Sequence, residues 1–411
     1  MILYFLYILL TPITIISILL LSFFNKKIRG KIFNEIKSRR LAYNEVKKNK
    51  GDKELLIFHA ASAGEFEQLK PILIRIDRKK YFVLQTFFSP TIYNKENNNP
   101  LFDSCCYHPF DLPNSAMIFF NRFKPKKYIV TRHDIWPTHI VLAKLFGIST
   151  ILINANMYKS SIRLKPIIIS LNRFIFKKFD KILTGSKRIE KLLNQLVEKN
   201  RVVITGDSRF DQVLDRKQHN KIQTLNKWSD DKTIIFASID EYDINIIDKA
   251  LSKFNCTNIK LIIVPHEITN SIIQIIQKML MQHNITFSMY SKFNNEANCC
   301  IVDYVGILAD LYKYSSLAYV GGGFSKGVHS VIEPAIYYNL ILYGPNIDIL
   351  DEAVELHNNH ISIIVENSHQ LSNSLQLILD DKELNKRKNE VKPYMESQTC
   401  FSNNIVNEIF N

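Results

Sequence analysis

One carboxylate in this 411-residue chain occupies a position from which it could act as a general base. An apolar run ends at residue 60, four small residues follow, and Glu65 then stands where a helix begins. A turn of small residues lets backbone and substrate approach closely, and a carboxylate on the first helical turn is held beside exposed N–H groups. Such rigid placement is what a general base requires. The same position suits a Glu that only stabilises the helix dipole, so this segment by itself leaves both roles open.

A second candidate site lies in the glycine-rich segment YVGGGFSKGVHSVIEP, which contains Gly322, Gly323, Lys326, Ser330 and Glu333. The glycines follow an apolar run, and a helix is predicted to open near Ser330. Glycines let the backbone approach a phosphate, helix N–H groups point at the anion, and Lys326 adds a positive charge. Glu333 could accept hydrogen bonds from a ribose or have only a structural role. The pattern matches neither the P-loop nor the dinucleotide-binding fingerprint, so nucleotide hydrolysis and dinucleotide binding are poor fits.

Short apolar runs alternate with amphipathic stretches along the chain after residue 50. Strand followed by helix, repeated many times, is typical of a parallel sheet with helices on both faces. The predicted fold class is therefore α/β, with two doubly wound Rossmann-like domains and an N-terminal membrane helix. The predicted strands cover residues 55–60, 82–87, 128–131, 150–154, 181–184, 202–205, 233–237, 261–264, 300–302, 317–320, 341–343 and 361–365.

The chain turns polar and charged between residues 212 and 231, where we place the domain boundary. The part after the apolar N-terminus is longer than one ordinary domain, so two doubly wound domains facing each other across a cleft are expected. We expect an anchor over residues 1–25 and domains over residues 26–220 and 221–411. Ligands of such sheets bind beyond the carboxyl ends of the strands, and the unusual residues of this chain cluster there.

The N-terminal segment indicates attachment to a membrane. Residues 2–24 contain no charged side chain and are numerous enough to span the core of a bilayer. A cleaved signal peptide is the alternative, but no basic residue precedes the apolar stretch and no small-x-small cleavage site follows it. The sequence therefore predicts an uncleaved, single-pass anchor.

The charge of the chain is concentrated beside this segment. Residues 26–50 carry ten basic and two acidic side chains, against a net charge of +14 for the whole chain. By the positive-inside rule, the body is predicted to lie on the cytoplasmic side, with anionic lipids or an acidic amphiphilic substrate as partners. No basic stripe with interleaved aromatic residues recurs later, so nucleic acid is not an expected partner. The six cysteines form no C-x-x-C motif and the histidines lack metal-ligand spacing, so neither a disulfide framework nor a metal site is expected.

Motifs in order along the chain resemble those of one family, the 3-deoxy-D-manno-octulosonic acid (Kdo) transferases of lipid A assembly. The resemblance covers essentially the whole chain, and an N-terminal membrane helix with a basic flank is also found in relatives. It implies the GT-B glycosyltransferase fold. The matching segments are residues 59–65 (H-x-x-S-x-G-E), 108–113 (Y-P-Y-D-L-P), 135–137 (L-W-P), 154–156 (N-A-R), 205–211 (T-G-(S/N/D)-x-(K/R)-F-D), 320–334 (V-G-G-S-x-x-x-x-G-H-N-x-L-E) and 343–346 (G-P-H).

The resemblance implies transfer of Kdo from CMP-Kdo to a tetraacylated lipid A precursor, lipid IVA, in lipopolysaccharide biosynthesis at the cell inner membrane. The reaction would be inverting and need no metal or other cofactor, since CMP is a monophosphate that helix N–H groups and one or two cations could stabilise. The 26–220 domain would bind the acceptor and the 221–411 domain the CMP-sugar.

The resemblance also implies roles for individual residues. Glu65 matches the base that deprotonates the acceptor hydroxyl, and Arg209 matches the basic residue that stabilises developing charge. The implied contacts to CMP are made by Pro265, His266, Val305, Gly306, Ile307, Ser330, Val331, Ile332 and Glu333.

Three departures from the family pattern concern these residues. Arg132 replaces a carboxylate, and we expect Asp134 to take over part of its role as a catalytic group. His266 replaces a permanently charged Arg, and Ser330 replaces an Asn ahead of the nucleotide-binding helix. Two alternatives follow: another GT-B nucleotide-sugar glycosyltransferase, or a non-catalytic membrane-bound relative that binds a nucleotide.

Overall fold

The computed structural model describes residues 2–220 and 222–411, and the chain divides into two compact units. The first unit comprises Met1–Gln212 and Cys400–Asn411, and the second comprises Val213–Thr399. Each unit contains a seven-stranded sheet in which neighbouring strands run parallel. The structure therefore confirms the prediction of two parallel α/β domains.

The first strand of the first unit lies in the interior of its sheet, with strands on both sides. Its strands are β1 (Glu54–Ala60), β2 (Tyr81–Phe87), β3 (Ser104–Tyr107), β4 (Lys127–Thr131), β5 (Ser149–Ala155), β6 (Lys181–Thr184) and β7 (Val202–Ile204). Their spatial order is β3-β2-β1-β4-β5-β6-β7, so the chain winds first to one edge and then to the other. All residues of β1 except Glu54 are buried, because a central parallel strand is covered on both faces.

The helices of the first unit begin where the sequence supplies caps or prolines. They are α1 (Ile2–Leu9), α2 (Thr11–Phe24), α3 (Lys26–Asn49), α4 (Ala63–Leu73), α5 (Pro90–Glu96), α6 (Pro113–Phe123), α7 (Pro137–Leu145), α8 (Pro166–Phe176) and α9 (Lys187–Leu193). The helix α10 (Ser208–Gln218) begins in the first unit and ends in the second. The helices α5 to α8 each carry proline in their first turn, where its missing N–H group costs nothing and its fixed φ suits the helix.

The second unit repeats the architecture. Its strands are β8 (Thr233–Ile239), β9 (Lys260–Pro265), β10 (Phe287–Met289), β11 (Cys299–Ile301), β12 (Leu317–Val320), β13 (Leu340–Tyr343) and β14 (Ser362–Ile364), in the spatial order β10-β11-β9-β8-β12-β13-β14. Its helices are α11 (Glu241–Leu251), α12 (Asn270–Gln282), α13 (Leu308–Leu311), α14 (Ile332–Ile336), α15 (Asp351–Asn358), α16 (Ser368–Leu375) and α17 (Asp381–Ser397). The carboxyl ends of β9 and β12 lead into the segments that the sequence marked for a ligand.

Each predicted strand overlaps an observed one, and the two strands that the sequence did not predict lie at sheet edges. β3 is only four residues long and β10 only three, and each pairs with a single neighbour. An edge strand is short and lacks the continuous apolar run of a central parallel strand, so neither segment has a strong periodic signal.

The last helix, α18 (Phe401–Phe410), belongs to the first unit. Arg75 Nε donates a hydrogen bond to Asn403 Oδ1 at 2.6 Å, and the rings of Tyr81 and Phe410 stack at 4.4 Å. The division between the units therefore falls after Gln212 rather than after residue 220. Residues 400–411 belong to the first unit, not to the C-terminal domain in which the sequence analysis placed them. An amphipathic pattern shows that a helix has an apolar face but not which core that face covers.

The apolar N-terminus is two helices rather than the one that the sequence predicts. α1 and α2 meet at a bend of 44°, and neither is by itself long and apolar enough to span a membrane, whereas the pair is by length and composition. Pro12 lies in the first turn of α2 and lacks the N–H group that would continue the ladder from α1. α1 packs on the body, with Tyr7 Oη donating to Asp111 Oδ2 at 2.6 Å and the Tyr4 and Phe174 rings 5.2 Å apart.

Candidate active site

Glu65 is the third residue of α4 and forms a complete capping box with Ser62. The Ser62 backbone N–H donates to Glu65 Oε2 at 2.9 Å, and the Ser62 hydroxyl donates to the same oxygen at 3.0 Å. The Glu65 N–H donates in return to Ser62 Oγ at 3.4 Å. The capping role that the sequence left open is therefore real, and it holds the carboxylate in one orientation.

The surroundings of Glu65 favour its protonated form. Burial raises the pKa of the Glu65 carboxyl above its usual value, and the nearby Asp134 carboxylate raises it further. The Ser62 hydrogen bonds and His59 oppose this shift. A carboxylate whose proton affinity is raised is a stronger base, which is the direction that proton abstraction requires.

Asp134 lies in the loop between β4 and α7, and this loop is anchored at several points. Arg132 adopts a left-handed conformation with φ of 60°, and its N–H donates to the Ile153 carbonyl at 2.9 Å. The Asp134 N–H donates to the Thr131 carbonyl at 3.2 Å. The Asp134 carboxylate is in contact with His59 Nε2. The loop thus places the predicted catalytic carboxylate within electrostatic range of Glu65.

Guanidinium groups surround the same loop. Arg163 Nη2 donates to the His133 carbonyl at 2.9 Å. Burial, and then the charges of Arg132, Arg163 and Arg209, lower the pKa of His133 to about 4. His133 is therefore neutral at physiological pH, and the arginines give this part of the first unit a positive potential that suits an anion.

Arg209 is positioned by Asp207. The Arg209 Nε and Nη2 atoms donate to Asp207 Oδ2 at 2.9 and 2.8 Å, and the Arg209 N–H donates to Oδ1 at 2.8 Å. Burial alone would raise the pKa of Asp207, but the Arg209 charge and hydrogen bonds hold it below its usual value. The structure thus places Asp134 within electrostatic range of Glu65, and Arg209 within electrostatic range of the neighbouring His133, in the first unit.

A stack of buried histidines behind this region was not predicted. The rings of His59 and His108 are 3.9 Å apart and those of His108 and His139 are 4.3 Å apart. Asp111 ends the stack, with Oδ1 accepting a hydrogen bond from His139 Nδ1 at 2.8 Å. Sequence reasoning found His59 and His108 only as letters of motifs. His59 lies near the carboxyl end of β1 and His108 directly follows β3, so both stand at the same edge of one parallel sheet, with β2 between the two strands.

In the second unit, a cavity of about 480 Å³ opens at the carboxyl ends of β8 and β9. His266 and His329 both line this cavity, and their rings stack with centres 4.3 Å apart and an interplanar angle of 15°. Lys326 is exposed at the same cavity, together with the acidic groups Asp240 and Glu267. The cavity brings together two of the predicted donor-site residues, His266 and Lys326, and Pro265 ends the strand that leads to it.

The glycine-rich loop is more tightly tied to the protein than the sequence indicates. The Gly322 N–H, in the loop whose glycines we expected to let the backbone approach a phosphate, donates to Asp243 Oδ2 at 2.8 Å. Gly322 has a φ of 87°, and a Cβ on Gly323 would lie 2.6 Å from the Gly344 nitrogen. The following helix α14 begins at Ile332 instead of near Ser330 and has five residues. Backbone packing therefore accounts for these glycines, and a phosphate contact by this loop stays a prediction.

The remaining predicted donor residues gather around Arg216, which sequence reasoning missed. Arg216 Nε and Nη2 donate to the two carboxylate oxygens of Asp310 at 3.1 and 2.8 Å, and Nη2 also donates to the Gly306 carbonyl at 2.8 Å. Gly306 lies between Val305 and Ile307, ahead of α13. Burial raises the pKa of Glu333 to about 7, against the opposing charge of Arg216. Ser330, Val331 and Ile332 lead into the helix that carries Glu333.

The described residues, 2–220 and 222–411, contain no group of three or more His, Cys, Asp or Glu side chains placed to hold a metal ion.

Comparison with solved structures identifies the fold. A solved structure of a glycosyltransferase from Rickettsia africae ESF-5 superposes with a TM-score of 0.61 at 12% identity and covers 87% of this chain and 97% of that one. The two parallel-sheet units thus have the GT-B glycosyltransferase fold.

The sequence comparisons give the family. Residues 34–212 match the profile described as 3-deoxy-D-manno-octulosonic-acid transferase (kdotransferase). The transferase of that name from Aquifex aeolicus is 29% identical over 339 residues, covering 81% of this chain and 88% of the relative. The one from Chlamydia muridarum is 24% identical over 347 residues, covering 81% and 80%. The chain is thus similar to Kdo transferases over most of its length, in agreement with the resemblance of its motifs.

Proposed function

We propose that this protein transfers Kdo from CMP-Kdo to a tetraacylated lipid A precursor, with inversion at the sugar and with Glu65 as the general base. The observation that carries the proposal is the geometry around Glu65. A carboxylate with one oxygen held by Ser62 lies near Asp134 and near a cluster of arginines, within the segment that matches the family profile.

In the proposed reaction, Glu65 takes the proton of an acceptor hydroxyl. The hydroxyl oxygen forms a bond to the anomeric carbon of Kdo while the bond from that carbon to the phosphate oxygen breaks, and CMP leaves with the electron pair. Because both Ser62 bonds go to Oε2, Oε1 is the oxygen that would receive the proton. The raised pKa of Glu65 favours this transfer.

Arg209 would stabilise negative charge that develops during the transfer. Its guanidinium is fixed by Asp207 before any substrate arrives, so little reorganisation is needed when charge appears. Asp134 would complete the catalytic group by tuning Glu65, as its effect on the Glu65 pKa indicates.

The donor would occupy the second unit. His266 and Lys326 at the cavity suit a phosphate or a base ring, and Pro265 ends the strand that leads there. The Arg216 cluster suits a ribose through the Glu333 carboxylate and the backbone of residues 305–307. We propose that no metal takes part, because CMP is a monophosphate whose departure a few cations and N–H groups could stabilise.

The acceptor is a membrane lipid, and the N-terminus supports a membrane location. We place the protein at the inner membrane through α1 and α2, with the body on the cytoplasmic side. The bent pair has the length and apolar composition of a span, and α3 supplies basic side chains next to it for anionic lipids.

The test is turnover of CMP-Kdo and lipid IVA by the purified full-length protein, followed by the mass of the lipid and by released CMP. Glu65→Gln should abolish transfer while leaving CMP binding intact, because Gln keeps the capping box but cannot accept a proton. The matched control is Glu67→Gln on the same helix, whose partner is Lys70 at 2.6 Å, and it should retain activity. A chelator should not change the rate. An active Glu65→Gln would refute the assignment of the base.

A second candidate function is transfer of a different sugar by the same fold. Arg132 and His266 motivate it, since both differ from the residues expected at these positions. Competition among nucleotide sugars decides between the two. If the protein turns over another nucleotide sugar but not CMP-Kdo, this candidate is favoured. If it binds CMP but turns over no donor, a non-catalytic relative is favoured.

A further inference from the structure

The first turn of α7 depends on a side chain from outside the helix. Pro137 has no N–H group, and the Ile140 N–H donates to the Trp136 carbonyl at 3.0 Å. The N–H groups of Thr138 and His139 therefore need acceptors from elsewhere. The side chain of the N-cap residue cannot supply one, because the Trp136 indole only donates hydrogen bonds.

Asp111 supplies the acceptors from the loop between β3 and α6. Its Oδ1 accepts from the N–H groups of Thr138 and His139, each at 3.1 Å, and from His139 Nδ1 at 2.8 Å. Burial alone would raise the pKa of the Asp111 carboxyl, but the hydrogen bonds from His139, Tyr7 and Thr138 hold this pKa below its usual value. An ionised Asp111 thus acts as the cap that the sequence before α7 does not provide.

The same carboxylate is bonded to the N-terminal helix. The Tyr7 hydroxyl of α1 donates to Asp111 Oδ2 at 2.6 Å, as a hydrogen bond to a charged acceptor. One turn earlier on α1, the Tyr4 ring packs against the Phe174 ring of α8 with centres 5.2 Å apart. α1 is therefore held against the first unit at the residue that caps α7.

α7 in turn holds the end of the loop that carries Asp134. Two residues, Ile135 and Trp136, separate Asp134 from the first residue of α7. The Trp136 indole donates to His59 Nε2 at 3.2 Å, and its ring lies 4.7 Å from that of Phe88. A first turn that frays would loosen these contacts together with the backbone of Asp134.

We propose that Asp111 is a positioning residue for the Asp134 loop and that Tyr7 makes α1 part of this support, so that transfer depends on the docking of the N-terminal helix on the first unit. The resemblance implied no role for Asp111, which belongs to the 108–113 motif. The effect on the rate rests on the proposed function, in which Asp134 tunes the base Glu65. The interaction of two carboxylates falls with the distance between them, so a displaced Asp134 no longer tunes Glu65 in the same way.

The loop can be observed without any turnover, because the chain contains two tryptophans, Trp136 in the loop and Trp228 in the second unit. The full-length protein in detergent, labelled with fluorotryptophan, gives a ¹⁹F signal for each, and the spectrum of Trp136→Phe assigns them. We expect Asp111→Asn to shift or broaden the Trp136 signal, and Tyr7→Phe to do so to a smaller extent, while the Trp228 signal stays unchanged. An unchanged Trp136 signal in Asp111→Asn overturns the positioning role, and one unchanged in Tyr7→Phe overturns the dependence on α1.

Amide hydrogen exchange, followed by mass spectrometry of peptides from the start of α7, tests the cap itself. The Thr138 and His139 amides should be protected in the wild type and exchange about 10-fold faster in Asp111→Asn, because Asn offers one neutral acceptor oxygen in place of a carboxylate. Unprotected amides at these positions in the wild type would contradict the proposal even if no variant folds. Neither measurement uses a substrate, so both stand if CMP-Kdo proves not to be the donor.

The consequence for transfer is a split between the kinetic constants. Asp111→Asn should lower kcat about 10-fold and Tyr7→Phe about 3-fold, since small displacements of a catalytic group are costly. KM for CMP-Kdo should stay constant, because the proposed donor site lies in the second unit. A raised KM with an unchanged kcat would contradict the positioning of a catalytic group.

The matched control is Tyr394→Phe, which removes a bond of the same kind in the second unit, from the Tyr394 hydroxyl to Glu355 Oε2 at 3.0 Å. Its kcat and its Trp136 signal should equal those of the wild type. A Tyr394→Phe signal that changes as much as that of Tyr7→Phe would show a general response to a lost hydroxyl and overturn the specific role of α1. Thermal unfolding checks that each variant folds.

Discussion

At the scale of single residues, Glu65 combines two roles that the sequence presented as alternatives. Its Oε2 atom closes the capping box with Ser62, and its environment raises the pKa of the carboxyl. The capping bonds restrict the side chain to one rotamer, which is the preorganisation that a base needs. A structural role therefore supports the proposed catalytic one.

The orientation of the Arg209 guanidinium is set by Asp207. Asp207 holds the guanidinium through two nitrogens, so its orientation does not depend on a substrate. We expect Arg209→Ala to lower kcat about 100-fold, as removal of a preorganised charge-stabilising donor does. Arg209→Lys should recover part of this loss, because Lys keeps the charge but not the fork that fits Asp207.

The measurement is steady-state kinetics with CMP-Kdo and lipid IVA. Arg201→Lys is the control, since Arg201 donates to the Lys177 and Phe179 carbonyls and pairs with Glu198 at 3.8 Å, and its kcat should be unchanged. A kcat for Arg209→Ala equal to that of the wild type would remove Arg209 from the mechanism.

At the scale of elements, the strand-to-helix turns were predictable and the contacts between distant elements were not. The apolar runs of β1 and β12 and the helix start that follows β1 are local features, so periodicity and turn chemistry found them. α18 reaches the first unit from the far end of the chain, and no local pattern carries that information. The same holds for the stack of His59, His108 and His139, which forms only when three elements meet.

The packing of Phe401 of α18 against Gly206 leads to a prediction about stability. This residue has a φ of 82°, and a Cβ there would lie 2.1 Å from Phe401 Cδ1. We expect Gly206→Ala to lower the free energy of unfolding by about 2–3 kcal/mol, through backbone strain and displacement of the Phe401 ring. Thermal and denaturant unfolding measure the change.

Gly147→Ala isolates the backbone contribution. Gly147 has a similar φ of 70°, but nothing lies within 4 Å of its added Cβ. We expect this variant to lose only about 1 kcal/mol, the cost of an L-residue in the left-handed region. Equal losses at both positions would show that the contact with Phe401 contributes nothing.

At the scale of the whole molecule, the distribution of apolar and charged residues bears on how the protein meets a membrane. The bent pair of α1 and α2 precedes a helix rich in Lys and Arg, while Tyr7 ties α1 to Asp111 of the body. The proposed attachment would therefore have two components: apolar insertion, which is insensitive to salt, and electrostatic attraction, which salt screens.

Deleting residues 2–24 separates these components. The shortened protein should still bind vesicles that contain anionic lipid, bind neutral vesicles far less, and dissociate as salt is raised. The full-length protein should stay bound at high salt. Co-sedimentation with vesicles measures both, and circular dichroism checks the fold after loss of the Tyr7 hydrogen bond. Salt-resistant binding of the shortened protein would show that the body itself inserts.

The sequence by itself determined the fold class, most strands, the family resemblance and the candidate residues Glu65, Asp134 and Arg209, because these depend on periodicity, turn chemistry and motif spacing. Only the tertiary structure decided that residues 400–411 complete the first unit and that backbone packing accounts for Gly322 and Gly323. It alone also brought His59 to Asp134. The physical reason is that these features are contacts between segments far apart in the chain, and a one-dimensional pattern records which faces must be buried but not which partners bury them.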